Sequence, residues 1–335
     1  MALALTIGQF AICTALIVLS GVRLSRYGDV IAEKTGMGGT WIGVVLMAAV
    51  TSLPELITGA SSVVIFDLPD IAAGDVIGSC MFNLLILAFL DFRDPNPLST
   101  RIHQRHVLTA GFGLLLLGLA MLAMLAGARA PAIGWIGLHS LLFLAVYVFA
   151  MRTIFVFERA HVTQVAEELT GEIRYGAFTI RRAVVLFAAW ASVLVAAAVV
   201  LPGAAEQLAA LTGLGHSFVG SLFVAASTSL PEVVVSVAAA RMGALDMAAG
   251  NLFGSNLFNI AVLGVDDVLY TSGPILAAVS PAHLVTLAAA MTMTAIAIIG
   301  MTYRASRKRF RLSWDALGIA VVYLLAIGLL KAVSG

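Results

Sequence analysis

Charge is what this sequence has least of. Asp, Glu, Lys and Arg together make up 11% of the 335 residues, and 61% are hydrophobic, against roughly 25% charged in a water-soluble domain. That balance excludes a domain solvated on every face and makes a bilayer the expected solvent. The two cysteines, Cys13 and Cys80, each sit inside an apolar run, which excludes a disulfide framework. The six histidines are scattered, so a zinc or copper centre built from several Cys or His is not expected. No phosphate loop, nucleophile elbow or zinc spacing is present. No His/Glu or Ser/Lys pair stands at helical spacing inside an apolar run to equip an intramembrane enzyme. The net charge of +1, with basic residues in short loops, excludes a nucleic-acid partner.

What is present is a series of long apolar runs. A spanning helix needs about 20 predominantly apolar residues, and ten segments qualify, at about 4–22, 38–65, 71–90, 107–127, 131–151, 183–202, 214–240, 247–265, 280–302 and 314–333. The first lacks the positive flank of a secretory signal and is read as a permanent helix. Counting through the ten places 17 of the 19 Lys and Arg in loops opposite the N-terminus and leaves Arg129 and Lys331 on its side. The positive-inside rule then predicts both termini outside the cytoplasm, with the basic run Arg304–Arg311 as a cytoplasmic anchor.

The chain also repeats itself. TSLPE occurs at Thr51–Glu55 and again at Thr228–Glu232, and DIAAGDVIGSCMFN (Asp70–Asn83) matches DMAAGNLFGSNLFN (Asp246–Asn259) at eight of fourteen positions. Upstream, Thr35-Gly36 answers Thr212-Gly213 and Gly43 answers Gly220. The first copy begins in a helix predicted to run outward and the second in one predicted to run inward, so the repeats are inverted. The expected fold is an all-α membrane protein of ten transmembrane helices in two inverted-topology five-helix repeats, residues 1–151 and 183–335, joined by a cytoplasmic linker loop at 152–182. Inverted repeats with interrupted helices are a plan of secondary transporters, whose ion site lies where the repeats meet.

The repeats carry one kind of chemistry, oxygen. An ionisable residue at membrane depth costs at least about 2.5 kcal/mol, yet Glu55 and Glu232 recur at matching positions. Each follows a proline, which frees carbonyls of the preceding turn. Thr51 and Ser52 share a helix face with Glu55, as do Thr228 and Ser229 with Glu232. Ser79 and Asn83, and Ser255 and Asn259, stand one turn apart. Two carboxylates with carbonyl, hydroxyl and amide oxygens can supply the roughly 6–8 ligands of Ca²⁺. Ser and Asn can equally bond between helices. Gly74, Gly78, Gly250 and Gly254 read as packing residues that let helices approach, and His139 as a packed or hydrogen-bonded helix residue.

The paired TSLPE motifs, each followed by G-x-x-x-G-S-x-x-x-N, resemble the alpha repeats of the cation/Ca²⁺ exchanger superfamily. The form is similar to its sodium/calcium branch, and the short central loop to compact prokaryotic members. The resemblance implies a secondary-active antiporter in a prokaryotic inner membrane, exchanging Ca²⁺ for several Na⁺ by alternating access, or for H⁺ through the same two Glu. It implies that Glu55 and Glu232 bind Ca²⁺ and share Na⁺, with backbone oxygen from Thr51 and Thr228. Ser52, Ser229, Ser79 and Ser255 would complete Na⁺ positions, and Asn83 and Asn259 would flank the carboxylates. The first and sixth helices would slide as a gate. Ca²⁺, Na⁺ and the bilayer are the expected partners, with no cofactor and no obligate protein partner. Val50 and Ser227 replace the family's usual Gly before TSLPE. Asp75 stands opposite Asn251 and either adds a charge near the ion path or caps the extracellular start of the third helix, the cap being the reading preferred; Cys80 stands opposite Asn256.

Overall fold

The computed structural model describes residues 1–35, 50–94, 96–162, 179–304, 308 and 311–334. The architecture is helical apart from one two-stranded hairpin. The main helices are α1 (Ala2–Lys34), α2 (Leu53–Val64), α3 (Pro69–Arg93), α4 (His106–Ala126), α5 (Leu138–Val162), α6 (Ile180–Thr212), α7 (His216–Thr228), α8 (Leu230–Arg241), α9 (Leu245–Leu269), α10 (His283–Tyr303) and α11 (Trp314–Ser334). Single-turn helices, Leu98–Arg101 and Ile275–Ala278, precede α4 and α10. Among the described residues eight helices are long and apolar enough to cross a membrane, nine if α7 and α8 form one bent span. The segment expected at 38–65 is described only from Val50 onward, as α2 and the turn before it.

Several boundaries moved. The first run extends well past residue 22, because nothing between Val22 and Lys34 breaks the helix; at 33 residues, it is about 50 Å long. α6 is equally long. It begins at Thr179, whose side chain accepts from the Arg182 amide, and ends at Gly213 in the left-handed conformation, φ +72°, the usual helix stop. The segment expected at 131–151 starts seven residues later, since Ala132–Ile133 pairs with Ile136–Gly137 around Gly134 at φ +64°. The linker expected at 152–182 begins as helix, through Val162; residues 163–178 lie outside the described residues.

α3 and α9 form the centre. Both are 25 residues long and are buried along most of their length, packed on each other and on α2 and α8. α1 and α6 lie side by side outside this centre, joined by Thr6–Gln207 and by Arg23 over the Trp190 ring. Leucines and valines of α11 (Leu317, Val321, Leu324, Leu325, Leu329, Val333) remain exposed. So large an unpartnered apolar face is what a lipid-facing helix presents.

Two clasps tie the halves together at the ends of the central helices. Asp70, at the start of α3, accepts from the Ser280 amide (2.8 Å) and the Ser217 hydroxyl (3.1 Å) and meets His283 Nε2 at 3.0 Å. Asp246, at the start of α9, accepts from the His103 amide (2.7 Å) and meets His106 Nε2 at 3.1 Å. The two clasps lie at opposite ends of the bundle, because α3 and α9 run in opposite directions. The basic run is anchored at the Asp246 end. Arg304 donates to the Ile102 carbonyl, and Lys308 forms a buried ion pair with Asp91 at 3.0 Å. Thr6, through Gln207, and Ser334, beside Gly215, lie at the Asp70 end.

Candidate ion-binding site

Each TSLPE copy interrupts its helix in the same way. Proline has no N–H to give the carbonyl four residues back and fixes its own φ, so Pro54 and Pro231 free the carbonyls of Val50 and Ser227. The serine two residues before each proline takes almost the same backbone conformation. Ser52 has φ −90° and ψ 11°, Ser229 φ −86° and ψ 4°, the sparsely populated bridge region common in active sites. α2 and α8 then start on the proline's turn. The axes of α7 and α8 meet at 44°, and a π-helical stretch, Val219–Val224, precedes the break, a feature frequent at functional sites.

All ten residues proposed from the sequence are fully buried, and the breaks aim them across the boundary between halves. Ser229 donates to Glu55 Oε1 at 2.9 Å, its Oγ lies 2.9 Å from Ser79 Oγ, and Ser79 reaches the same Glu55 oxygen at 3.4 Å. In mirror fashion Ser52 donates to Glu232 Oε1 at 3.2 Å, with Ser255 at 3.5 Å. Each glutamate therefore takes a serine from its own half and one from the other. The threonines lean outward, Thr228 to Asp75 Oδ1 at 2.7 Å and Thr51 to Asn251 Oδ1 at 3.3 Å. Asn83 donates to Asn256 Oδ1 at 2.9 Å, and Asn256 donates to the Cys80 carbonyl at 3.1 Å. Among the described residues Glu55 Oε2, Glu232 Oε2, Asn83 Oδ1 and both amide atoms of Asn259 have no hydrogen-bond partner. Buried polar atoms are rarely left so.

The close approach is made by glycine. A Cβ on Gly74 would fall 2.9 Å from the Ser221 amide nitrogen, and one on Gly78 would collide with the Ser221 carbonyl, so α3 lies directly on the backbone of α7.

Asp75 is a correction. The expected helix cap lies six residues inside α3, whose first turn starts at Pro69 with Leu68 in the cap position, and its carboxylate joins the site through Thr228. The sequence reading also passed over Asn251, Asn256 and Asp266 as site residues. The repeat alignment offers Asn251 and Asn256 as the partners of Asp75 and Cys80; Asp266, whose counterpart is Leu90, has no such signal.

Apolar helices that cross a membrane around buried, oxygen-only side chains define a multi-pass membrane protein with an intramembrane polar site. The family model of the sodium/calcium exchanger protein matches residues 5–156 and 182–331, and the chain belongs to that family, within the cation/Ca²⁺ exchanger superfamily. Inner membrane protein YrbG of Escherichia coli (strain K12) is 27% identical over 277 residues, 78% of each chain. Sodium/calcium exchanger MaX1 of Methanosarcina acetivorans is 46% identical over 63 residues, 18% of each. In fold the chain resembles the H⁺/Ca²⁺ exchanger CAX (TM-score 0.73, 12% identity, 98% of this chain and 85% of that one). It also resembles the sodium-calcium exchanger NCX_Mj (TM-score 0.63, 23% identity, 97% and 99%).

Proposed function

We propose that this protein exchanges Ca²⁺ for Na⁺ across the membrane by alternating access at one site formed by Glu55 and Glu232. The observation that carries this reading is the exchange of serines: each glutamate is held by a hydroxyl from both halves, and among the described residues its second oxygen has no donor. Two carboxylates held this way neutralise one divalent cation. Hydroxyls of Ser52, Ser79, Ser229 and Ser255, carbonyls of Thr51 and Thr228, and amide oxygens of Asn83 and Asn259 complete a hard-cation shell. Na⁺ competes for the same oxygens, so the two loaded states exclude one another, and that exclusion is the coupling.

The remaining architecture follows the same reading. Ten spans in two inverted five-helix halves sit in a prokaryotic inner membrane, and the Asp70 end, with both chain ends, faces away from the cytoplasm. α1 and α6, packed together outside the α3–α9 centre, slide as the gate. The orientation is tested in a background without Cys13 and Cys80: Ser272→Cys reacts with an impermeant thiol reagent in intact cells and Arg181→Cys does not, and the reverse pattern refutes it. The function is tested in proteoliposomes by driving ⁴⁵Ca²⁺ uptake with an outward Na⁺ gradient and, separately, with a pH gradient. Uptake driven by Na⁺ alone supports the reading; uptake driven only by the pH gradient replaces it with H⁺/Ca²⁺ exchange.

A further inference from the structure

Asp266 is a fully buried carboxylate in the last turn of α9, and among the described residues no donor reaches either of its oxygens. What it does meet is bare backbone. A Cβ built on Gly59 would stand 2.7 Å from Oδ1 and 2.8 Å from Cγ, so the carboxylate fills the space where any other residue of α2 would carry a side chain. Leaving a buried charge without a partner is costly. The glycine shows that the chain nonetheless keeps a place for it.

The surroundings repeat the pattern. Thr58, three residues beyond Glu55 on the same helix face, has a buried hydroxyl without a partner among the described residues. Asp75 accepts from Thr228 through Oδ1, while its buried Oδ2 has no partner among the described residues. Asp75 also lies within Coulombic reach of both Glu55 and Asp266.

Position along the helices makes these groups a path. At 1.5 Å per residue, Gly59 lies about 6 Å beyond Glu55, Asp75 about 6 Å before Ser79, and Asp266 about 10 Å beyond Asn259. All three displacements point the same way, toward the Asp70 end, because α2 turns directly into α3 at that end and α9 finishes there. At the matching positions of the other half stand Ser236, Asn251 and Leu90. Asn251 donates to Ser236 at 3.4 Å, and there is no acid. A carboxylate route therefore exists on one flank of the site only.

We infer that Asp266 and Asp75 form a second cation-binding position, for a hard cation such as Na⁺ or Ca²⁺, on the route between the Glu55–Glu232 site and the Asp70 end of the protein. Thr58 and Glu55 Oε2 supply the next oxygens inward. The inference rests on reading Glu55 and Glu232 as the transport site, and it adds sidedness: ions arriving from the Asp70 end meet Asp266 and Asp75 before they reach the glutamates, and ions from the Asp246 end find Leu90 and Asn251 at the matching positions.

The test is ⁴⁵Ca²⁺ uptake measured from each face in membrane vesicles of both orientations. Removing one unit charge about 10 Å from the entering ion, in Asp266→Asn, is expected to raise the half-saturating Ca²⁺ concentration about fivefold or more from the Asp70 face. From the opposite face the shift should be clearly smaller, because an ion entering there reaches the glutamates without first occupying the position that Asp266 helps to form. Asp266→Glu, which keeps the charge, should recover most of the loss. Gly59→Ala, which pushes the carboxylate aside without altering any acid, should reproduce the one-sided shift and stands in for Asp266→Asn if that variant does not fold. Equal shifts on both faces, or none on either, overturn the inference. Should Glu55→Gln transport like the wild type, the site reading itself fails; should Glu55→Gln be inactive while Asp266→Asn and Gly59→Ala behave as wild type on both faces, only this inference fails.

Discussion

The two halves share a framework and differ in charge. Around Glu55 stand Asp75 and Cys80, with Asp266 reaching in from α9; around Glu232 the matching places hold Asn251, Asn256 and Leu90. The backbone breaks agree to within a few degrees at Ser52 and Ser229, and the serine-to-glutamate bonds are exchanged symmetrically. Symmetry has been kept where it shapes the site and given up where it would only set the electrostatics of the approach. Bond lengths follow the same division. The Glu55 cluster is tighter, with Ser229 at 2.9 Å against 3.2 Å for Ser52 on Glu232, and Thr228 lies 2.7 Å from a carboxylate where Thr51 lies 3.3 Å from an amide.

The strongest test of this comparison removes one glutamate at a time. Glu55→Gln and Glu232→Gln are each expected to lower Ca²⁺ uptake by more than about a hundredfold, since each removes one of the two charges that would neutralise the divalent ion and an ionised oxygen from its shell. Size-exclusion profiles and thermal stability should remain near wild type. Initial ⁴⁵Ca²⁺ uptake in proteoliposomes measures it, and near-normal uptake by either variant would show that the halves are not equivalent at their carboxylates.

A smaller effect separates the threonines. Each threonine also faces the glutamate of the other half, Thr228 by Glu55 and Thr51 by Glu232, so the difference lies in the second contact. Thr228→Val loses a bond to the Asp75 carboxylate, worth about 1.5–3 kcal/mol, and Thr51→Val one to the Asn251 amide oxygen, worth about 0.5–1.5 kcal/mol. Thermal unfolding of the two variants in the same detergent should rank Thr228→Val as the less stable. The opposite order would mean that the Asp75 contact contributes little.

The least disruptive change restores symmetry. Asn83 is met by the amide of Asn256, but beside Asn259 the matching place holds the Cys80 thiol, a weak hydrogen-bonding group, and among the described residues neither amide atom has a partner at full hydrogen-bond distance. Cys80→Asn offers the missing amide in nearly the same volume and should stabilise the protein by about 1 kcal/mol, read as a small rise in Tm. A fall in Tm would show that the pocket at residue 80 is shaped for sulfur.

Much of the site was legible because it was written twice. A motif that recurs in both halves identifies Glu55, Glu232 and their serines, and the repeat also pairs Asn83 with Asn259. What broke the symmetry was harder to see. Asp75 lies close to the predicted helix start at residue 71, where a cap is a reasonable reading; Pro69 begins the helix earlier and moves the carboxylate inward. Asp266 lies at the edge of an apolar run, and only the packing of Gly59 shows what it faces. In the fold, the hairpin around Gly134 was read as helix because its residues are apolar enough to be one. The length of α1 was missed because the polar residues after Val22 end a hydrophobic run without ending a helix. The count of ten spans rests partly on 36–49, which lie outside the described residues.

The exchange of serines between the halves has a consequence for biogenesis. A ribosome delivers the first half to the membrane well before Ser229 exists, so at that stage Glu55 has Ser79 but not the hydroxyl that comes nearest to it, and Glu232 has not been made. A nascent chain with only its first half inserted thus holds an unfinished cradle. The proposed site is complete only once α7 and α8 dock against α2 and α3, and a truncated product left in the membrane would lack Glu232, Ser229 and Ser255.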